Sequence, residues 1–264
     1  MASWMYGFCE ALRTSNLYDS SASTCTGVSG GAINAVCLAA GVSVAPEAKF
    51  ITTVKQTLRR RNSNMILAIR EGLNETLPDD VATRISGRTT IAVVEADFSP
   101  SGSRKPLLVD QFESKEDVIG AVCASCHLPF LMDRHATASW RGKRYLDAAV
   151  FGHGIIHVHD AVHVSICPPI GYTEGFDPGD RPPAGLATMQ SWIHETENAP
   201  SDAHPWLAPP APGRTPLPSG LLSVAMDVFG VRACKGAGQE RYELGQQAFR
   251  VWCARQQVVD AAML

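Results

Sequence analysis

One serine stands between glycines in a pattern that could support nucleophilic catalysis. Gly27-Val28-Ser29-Gly30-Gly31 fits G-x-S-x-G, with small and β-branched residues before it and an apolar segment after it. Between a strand and a helix, this pattern puts the serine in a strained, sharp turn, and glycines let the two elements approach closely. Ser29 would then lie at a helix N-terminus, where the N–H of Gly30 can stabilise an oxyanion. The pattern favours acyl transfer through Ser29; a glycine-rich turn that only packs, or that binds phosphate, is the alternative.

A serine hydroxyl needs a base to become a nucleophile. In a Ser-His-Asp hydrolase the acid and the histidine come after the serine along the chain, and Asp147 and His153 occur in that order. However, only one strand is predicted before Ser29, and Asp147 and His153 are close enough in sequence to share a loop. A Ser-His-Asp esterase is therefore kept as an alternative.

Two further clusters could bind a cofactor or a metal. Cys123-Ala-Ser-Cys126-His127 matches the C-x-x-C-H pattern of haem attachment, which requires an oxidising export route. His157 and His159 would project to one side of a predicted strand, with only Asp160 as an evident acidic partner. We interpret the cysteines as packing residues and the histidines as a solvated strand end, and we expect neither cofactor nor metal.

Composition sets the class of protein. The chain has 264 residues, 45% of them hydrophobic and 19% charged, with a formal net charge of −3, which allows a sizeable core and suggests no nucleic-acid partner. Residues 1–20 include Glu10, Arg13 and Asp19, so they do not resemble a signal peptide, and no apolar run reaches the length of a membrane span. We expect a cytoplasmic protein with free thiols.

The elements that would position the serine alternate between strands and helices. Strands are predicted over 21–28, 89–95, 106–109, 144–147 and 157–167, and helices over 5–13, 32–40, within 46–75, and from a Ser114 cap to about His127. This alternation predicts an α/β fold with a mostly parallel sheet. We divide the chain into a catalytic core at 1–167, a proline-rich surface excursion at 168–219, and C-terminal helices at 220–264 that pack on the same domain.

Four segments resemble the patatin-like phospholipases, in a form closest to the adiponutrin-type lipases. They are the Gly27–Ala32 motif with its apolar helix, Ala124-Ser125-Cys126-His127-Leu128-Pro129-Phe130, the stretch Arg141–Ala149 with Asp147, and Tyr242–Ala248. The resemblance implies a three-layer α/β/α domain and a Ser–Asp dyad without histidine. Ser29 would attack the acyl carbonyl of a phospholipid or acylglycerol, and Asp147 would take its proton. We also expect peripheral contact with a membrane or lipid-droplet surface.

The sequence departs from this family at two places. Met5-Tyr6-Gly7 resembles the helix start that comes after the glycine-rich oxyanion loop in the family, so we expect the first strand and that loop to be missing. Loss of an oxyanion donor typically lowers turnover about 10²–10³-fold, which makes a weak or inactive lipid-surface binding protein an alternative. Ala148 stands where the family usually has glycine, so Asp147 would be misplaced if that position required a positive φ.

Overall fold

The computed structural model describes residues 2–60, 64–96 and 106–151, together with scattered helical residues between 239 and 253. The helices are α1 (Ala2–Thr14), α2 (Gly30–Ala39), α3 (Lys49–Arg60), α4 (Met65–Thr76), α5 (Val81–Ile85), α6 (Lys115–Ser125) and α7 (Ala148–Phe151). The strands are β1 (Cys25–Val28), β2 (Thr89–Glu95), β3 (Leu107–Val109), β4 (Ala138–Trp140) and β5 (Lys143–Leu146). The predicted strand at 157–167, the excursion at 168–219 and residues 220–238 of the predicted C-terminal helices lie outside the described residues.

Contacts divide the chain into two compact units, Met1–Leu12 with His159–Leu264 and Arg13–Val158. In the first unit, Phe8 packs in a buried cluster with Phe249 and Cys253. The Phe8 and Phe249 rings meet edge to face, with their centroids 5.4 Å apart. The predicted N-terminal helix and the helical segment near the C-terminus are both present, while the three-part domain division stays a prediction.

The second unit is built around β2, whose sequence TTIAVVE favours an extended chain through its β-branched residues. Ala92 and Val94 point to one face and Ile91 and Val93 to the other, and all four are fully buried. Cover on both faces is what a three-layer α/β/α fold provides, and α2 and α6 both pack against β2. The α/β prediction is confirmed.

The described sheet is mixed, and the expectation of mostly parallel pairing is wrong for this part of the chain. β1 and β2 are parallel, whereas β2–β3, β2–β5 and β4–β5 are antiparallel. β4 and β5 are joined by Arg141 and Gly142, both with positive φ (45° and 71°), as the tightest hairpin turns require. Such a short connection allows only antiparallel pairing.

β1 is shorter than predicted, because the residues before it form a turn. Asp19 Oδ1 accepts a hydrogen bond from the Ser21 N–H at 2.8 Å, and the Asp19 carbonyl accepts one from the Ser23 N–H at 2.8 Å. These local bonds compete with strand pairing. β1 therefore begins at Cys25, and Gly27 is its one buried residue.

None of the described helices is both long and apolar enough to cross a membrane.

Candidate functional site

Ser29 occupies the corner between β1 and α2, as the G-x-S-x-G pattern predicts. Its backbone has φ 53° and ψ −128°, a conformation that costs a non-glycine residue about 1–3 kcal/mol and persists only where the surroundings enforce it. Ser29 is the N-cap of α2, yet its side chain makes no capping hydrogen bond. The strained corner therefore presents a hydroxyl that is not used to stabilise the helix.

The glycines around Ser29 differ in what they contribute. A Cβ on Gly27 would lie 2.4 Å from the carbonyl oxygen of Gly31 and 2.6 Å from Ala32 Cα, so strand and helix can approach this closely only with glycine there. At Gly31 a Cβ would meet no atom within 4 Å, so the steric requirement does not extend to that position. Gly30 is the buried first residue of α2, and the role of its N–H in oxyanion binding stays a prediction.

Asp147 comes directly after β5 and is almost completely buried, with 1% of its surface exposed. Its N–H donates to the His127 carbonyl at 2.9 Å, and its Oδ1 accepts from the Ala149 N–H at 2.8 Å. The second bond is that of a helix cap on α7. Both bonds fix where the carboxylate lies.

Ala148, the departure from glycine, is accommodated without strain. It is a helical residue of α7 and does not have a positive φ. Its methyl group packs with Ala92 and Val94 in a buried cluster that Val28 also touches. The substitution therefore does not displace Asp147, and the residue before Ser29 and the residue after Asp147 contribute to one cluster.

The sheet register brings the two candidate residues toward the same point of β2. The β1–β2 pairing ends at Val28 opposite Ala92, and the β2–β5 pairing ends at Leu146 opposite Val94. Ser29 and Asp147 are the next residues after those ends, so both leave the sheet at the level of Val93. Two residues separated by most of the described chain thus converge through strand pairing.

The C-terminal end of α6 contacts both residues. Ser125 Oγ accepts a hydrogen bond from the Ser29 N–H at 2.8 Å, and the His127 carbonyl binds the Asp147 N–H. Cys126 lies between Ser125 and His127 in the sequence. Burial, and then the charge of Asp147, raise the pKa of its thiol well above the ordinary value. Sequence reasoning did not assign a functional role to Ser125, because its bond to Ser29 spans 96 positions of the chain.

The C-x-x-C-H segment behaves as packing residues. Cys123 and Cys126 are buried free thiols, and burial raises the pKa of Cys123 to about 12. Reactive cysteines need a thiolate, which such a pKa disfavours at neutral pH. The predicted packing role agrees with this environment.

The imidazole of His127 supports the loop after α6. Its Nε2 lies 3.2 Å from the His135 carbonyl, so Nε2 carries the hydrogen, and no described residue hydrogen-bonds to Nδ1. Protonation would place a second, unsatisfied N–H in a buried position, and burial accordingly lowers the pKa of His127. His153, the histidine of the triad alternative, and the His157–His159 pair lie outside the described residues.

Comparisons with known proteins agree on one family. The family model for patatin-like phospholipases matches residues 2–156. The chain is 32% identical over 136 residues to 1-acylglycerol-3-phosphate O-acyltransferase Pnpla3 of Mus musculus, which covers 49% of this chain and 32% of the relative. It is 28% identical over 131 residues to patatin-like phospholipase domain-containing protein 2 of Rattus norvegicus, which covers 47% of this chain and 26% of the relative.

The chain spans a third or less of the length of these relatives. No solved structure matches it. The family model nevertheless covers more than half of the chain, including the strand–helix corner, the end of α6 and the segment after β5. The chain belongs to the patatin-like phospholipase family.

Proposed function

We propose that this protein hydrolyses carboxylic ester bonds of phospholipids or acylglycerols, with Ser29 as the nucleophile and Asp147 as its base. The observation that carries the proposal is the strained corner at Ser29, with φ 53°, in a chain of the patatin-like phospholipase family. The end of α6, which hydrogen-bonds to the backbones of both residues, supports the pairing. Strain of this kind clusters at functional sites.

The reaction would proceed in two halves. The Asp147 carboxylate takes the proton of the Ser29 hydroxyl while Oγ attacks the acyl carbonyl, and it returns that proton to the leaving oxygen as the tetrahedral oxyanion collapses and releases the alcohol or lysolipid. Asp147 then takes a proton from the water that attacks the acyl-enzyme, and it returns this proton to Ser29 Oγ as the fatty acid leaves. The N–H of Gly30 is our candidate donor to the oxyanion. An aspartate is a weak base, so close and well-aimed placement must supply much of its effect.

Turnover of a short-chain p-nitrophenyl ester tests the mechanism. We expect Ser29→Ala to lower kcat about 10⁴-fold or more and Asp147→Asn about 10²–10⁴-fold, because each removes a group that acts in the bond-making step. Ser139→Ala and Asp79→Asn are matched controls at exposed positions and should retain full turnover. Equal turnover in all five proteins would reject the mechanism.

Acyl transfer to a lysolipid is a second candidate, favoured by the name 1-acylglycerol-3-phosphate O-acyltransferase that two of the relatives carry. The first half-reaction would be the same, and the hydroxyl of the acceptor would replace water in the second. Adding 1-acylglycerol-3-phosphate to the ester assay separates the two. Acylated acceptor formed at the expense of free fatty acid would favour transfer.

The lipid-surface alternative rests on Phe130, in the loop after α6. The residue is 73% exposed and has a positive φ of 59°, and its N–H donates to the His135 carbonyl at 3.0 Å. Because water disfavours an exposed aromatic ring, we propose that Phe130 enters the surface of a membrane or lipid droplet beside Asp147's loop.

Co-sedimentation with phosphatidylcholine vesicles tests this contact. We expect Phe130→Ser to weaken vesicle binding about 10-fold, since burying one aromatic side chain is worth about 1.5–3 kcal/mol. Leu17→Ser, at a position 36% exposed, is the control and should bind like the parent. Vesicle binding without any turnover would favour a non-catalytic binding protein, and unchanged binding of Phe130→Ser would remove Phe130 from the account.

Two expectations from the sequence stay proposals. A Ser-His-Asp esterase predicts that His153→Ala abolishes turnover, whereas a Ser–Asp dyad tolerates that change. A cytoplasmic location, peripheral on lipid surfaces, is to be tested by fractionation of cells that produce the protein.

A further inference from the structure

We propose that Ser125 is a positioning residue whose hydroxyl holds Ser29 in its strained conformation. This inference rests on the proposed role of Ser29 as nucleophile, but the bond it concerns exists whether or not the protein turns over a substrate. The hydrogen-bond ladder between β1 and β2, the burial of Ser125 and the position of α6 support this role.

The ladder between β1 and β2 has a regular start. The Cys25 N–H donates to the Arg88 carbonyl at 2.9 Å, and the strands then pair in parallel register through Val28 and Ala92. In a parallel pair, alternate carbonyls of one strand accept from alternate N–H groups of the other. Counting by two along both strands, the bond that should close this ladder joins the Ser29 N–H to the Ala92 carbonyl.

The Ser125 hydroxyl takes the place of that bond. Its Oγ accepts from the Ser29 N–H at 2.8 Å and donates to the Ala92 carbonyl at 2.7 Å. The hydroxyl thus bridges the two backbone groups at the point where β1 turns away into α2. A side chain from α6, not the strand itself, connects the corner to the central strand.

Burial makes the Ser125 hydroxyl hard to replace in this bridge. Ser125 and Ala92 are fully buried, so water has no ready access to replace the missing hydroxyl. One atom must both accept from the Ser29 N–H and donate to the Ala92 carbonyl, and a serine hydroxyl can do both. Without it, the N–H of Ser29 loses the partner that opposes relaxation of its φ.

Ser125 also relates the nucleophile to the acid. It is the last residue of α6, and the carbonyl two residues later accepts the N–H of Asp147. Both bonds therefore depend on the same helix end. Loss of the Ser125 bond should alter the position of Ser29 without altering the His127–Asp147 bond.

The test compares Ser125→Ala with Ser86→Ala. Ser86 makes the same pattern of bonds, accepting from the Phe112 N–H at 3.1 Å and donating to the Ala82 carbonyl at 2.7 Å, but it lies before the opposite end of β2. Both variants lose a hydroxyl that joins two backbone groups. Ser86→Ala therefore controls for a general loss of stability in Ser125→Ala. Ser125→Thr keeps the hydroxyl and serves as the rescue variant.

Two readouts are measured on the full chain. Amide hydrogen exchange reports whether the Ser29 N–H stays protected, and the kinetics of a p-nitrophenyl ester report kcat and KM separately. We expect Ser125→Ala to lose protection at Ser29 and to lower kcat about 10–100-fold with KM changed less than about twofold, because a misplaced nucleophile slows the chemical step. Ser86→Ala should keep both, and Ser125→Thr should recover part of the protection and of kcat.

The outcomes separate this inference from the proposed function. Unchanged Ser29 protection in Ser125→Ala, or equal losses of protection at Ser29 in Ser125→Ala and Ser86→Ala, would overturn the positioning role. Protection lost only in Ser125→Ala, in a protein without any ester turnover, would support the hydroxyl bridge and reject the hydrolase. Loss of Ser29 protection in Ser125→Ala with kcat unchanged would also overturn the positioning role, since the bridge would then not position the nucleophile.

Discussion

The two corners of the candidate site are held by different forces. The elbow, Gly27–Gly31, is fixed by close backbone packing and by one buried hydroxyl that bridges Ser29 and Ala92. The acid arm, Ala138–Asp147, is a hairpin whose turn is tied to α6 by a charged network. The geometry of Ser29 should therefore depend on side-chain volume at the elbow and on neutral hydrogen bonds. The support of Asp147 should depend on the ionisation of the charged network.

The charged network of the acid arm centres on Asp117, in the first turn of α6. Its Oδ1 accepts from Trp140 Nε1 and from Arg141 Nε, both at 2.9 Å, and its Oδ2 lies 2.5 Å from Arg141 Nη2. Arg141 also stacks over the Trp140 ring, with its guanidinium carbon 4.5 Å from the ring centroid. Although burial by itself raises it, the pKa of Asp117 is held below its ordinary value by these hydrogen bonds and by the charge of Arg141.

The largest stability difference is expected inside the elbow, between Gly27→Ala and Gly31→Ala. The first places a methyl group against backbone atoms that cannot move aside, and should lower the free energy of unfolding by about 1–3 kcal/mol. The second adds a methyl group in open space and replaces a helical glycine, so it should be neutral or stabilise by up to about 1 kcal/mol. Urea unfolding with an unchanged m-value measures both. Equal effects would mean that strand and helix do not meet at Gly27.

A smaller and pH-dependent effect is expected in the acid arm from Asp117→Asn. Arg141 is partly exposed, so we expect a loss of about 1 kcal/mol at pH 7. Because the folded pKa of Asp117 lies below the unfolded value of about 3.9, its contribution is complete above that pH and disappears as the pH falls through the folded pKa.

The measurement is the free energy of unfolding of both proteins between pH 7 and pH 2. The difference between parent and Asp117→Asn should shrink only below about pH 4. Asp79→Asn, at an exposed carboxylate, is the control. A difference that stays constant down to pH 2 would show that the network does not depend on ionisation, and the contrast between the two corners would fail.

Local patterns explain which parts of the fold could be predicted from the sequence. The β-branched run of β2 favours a strand without help from other segments, and Ser114 accepts from the Asp117 N–H as a helix cap at the predicted start of α6. The elbow was predictable because its glycines and its serine are adjacent in sequence. The alternation of elements also gave the α/β class.

The features that could not be predicted depend on contacts between distant residues. The antiparallel pairing of β2 with β3 and β5 is set by which strands meet in space, and strand composition carries little information on direction. Ser125 lies at the end of a helix, where a small residue has no distinctive pattern. The available signal was the segment Ala124–Phe130, which resembles a family motif but does not reveal that Ser125 bonds to Ser29.

We propose Ser29 as a nucleophile that Asp147 activates. The most direct measurement is the rate at which a fluorophosphonate probe labels the full chain, with the modified residue identified by mass spectrometry. We expect labelling of Ser29 in the parent and labelling slower by about 10²-fold or more in Asp147→Asn. Labelling at another serine, or labelling of Ser29 at the same rate in Asp147→Asn, would contradict it.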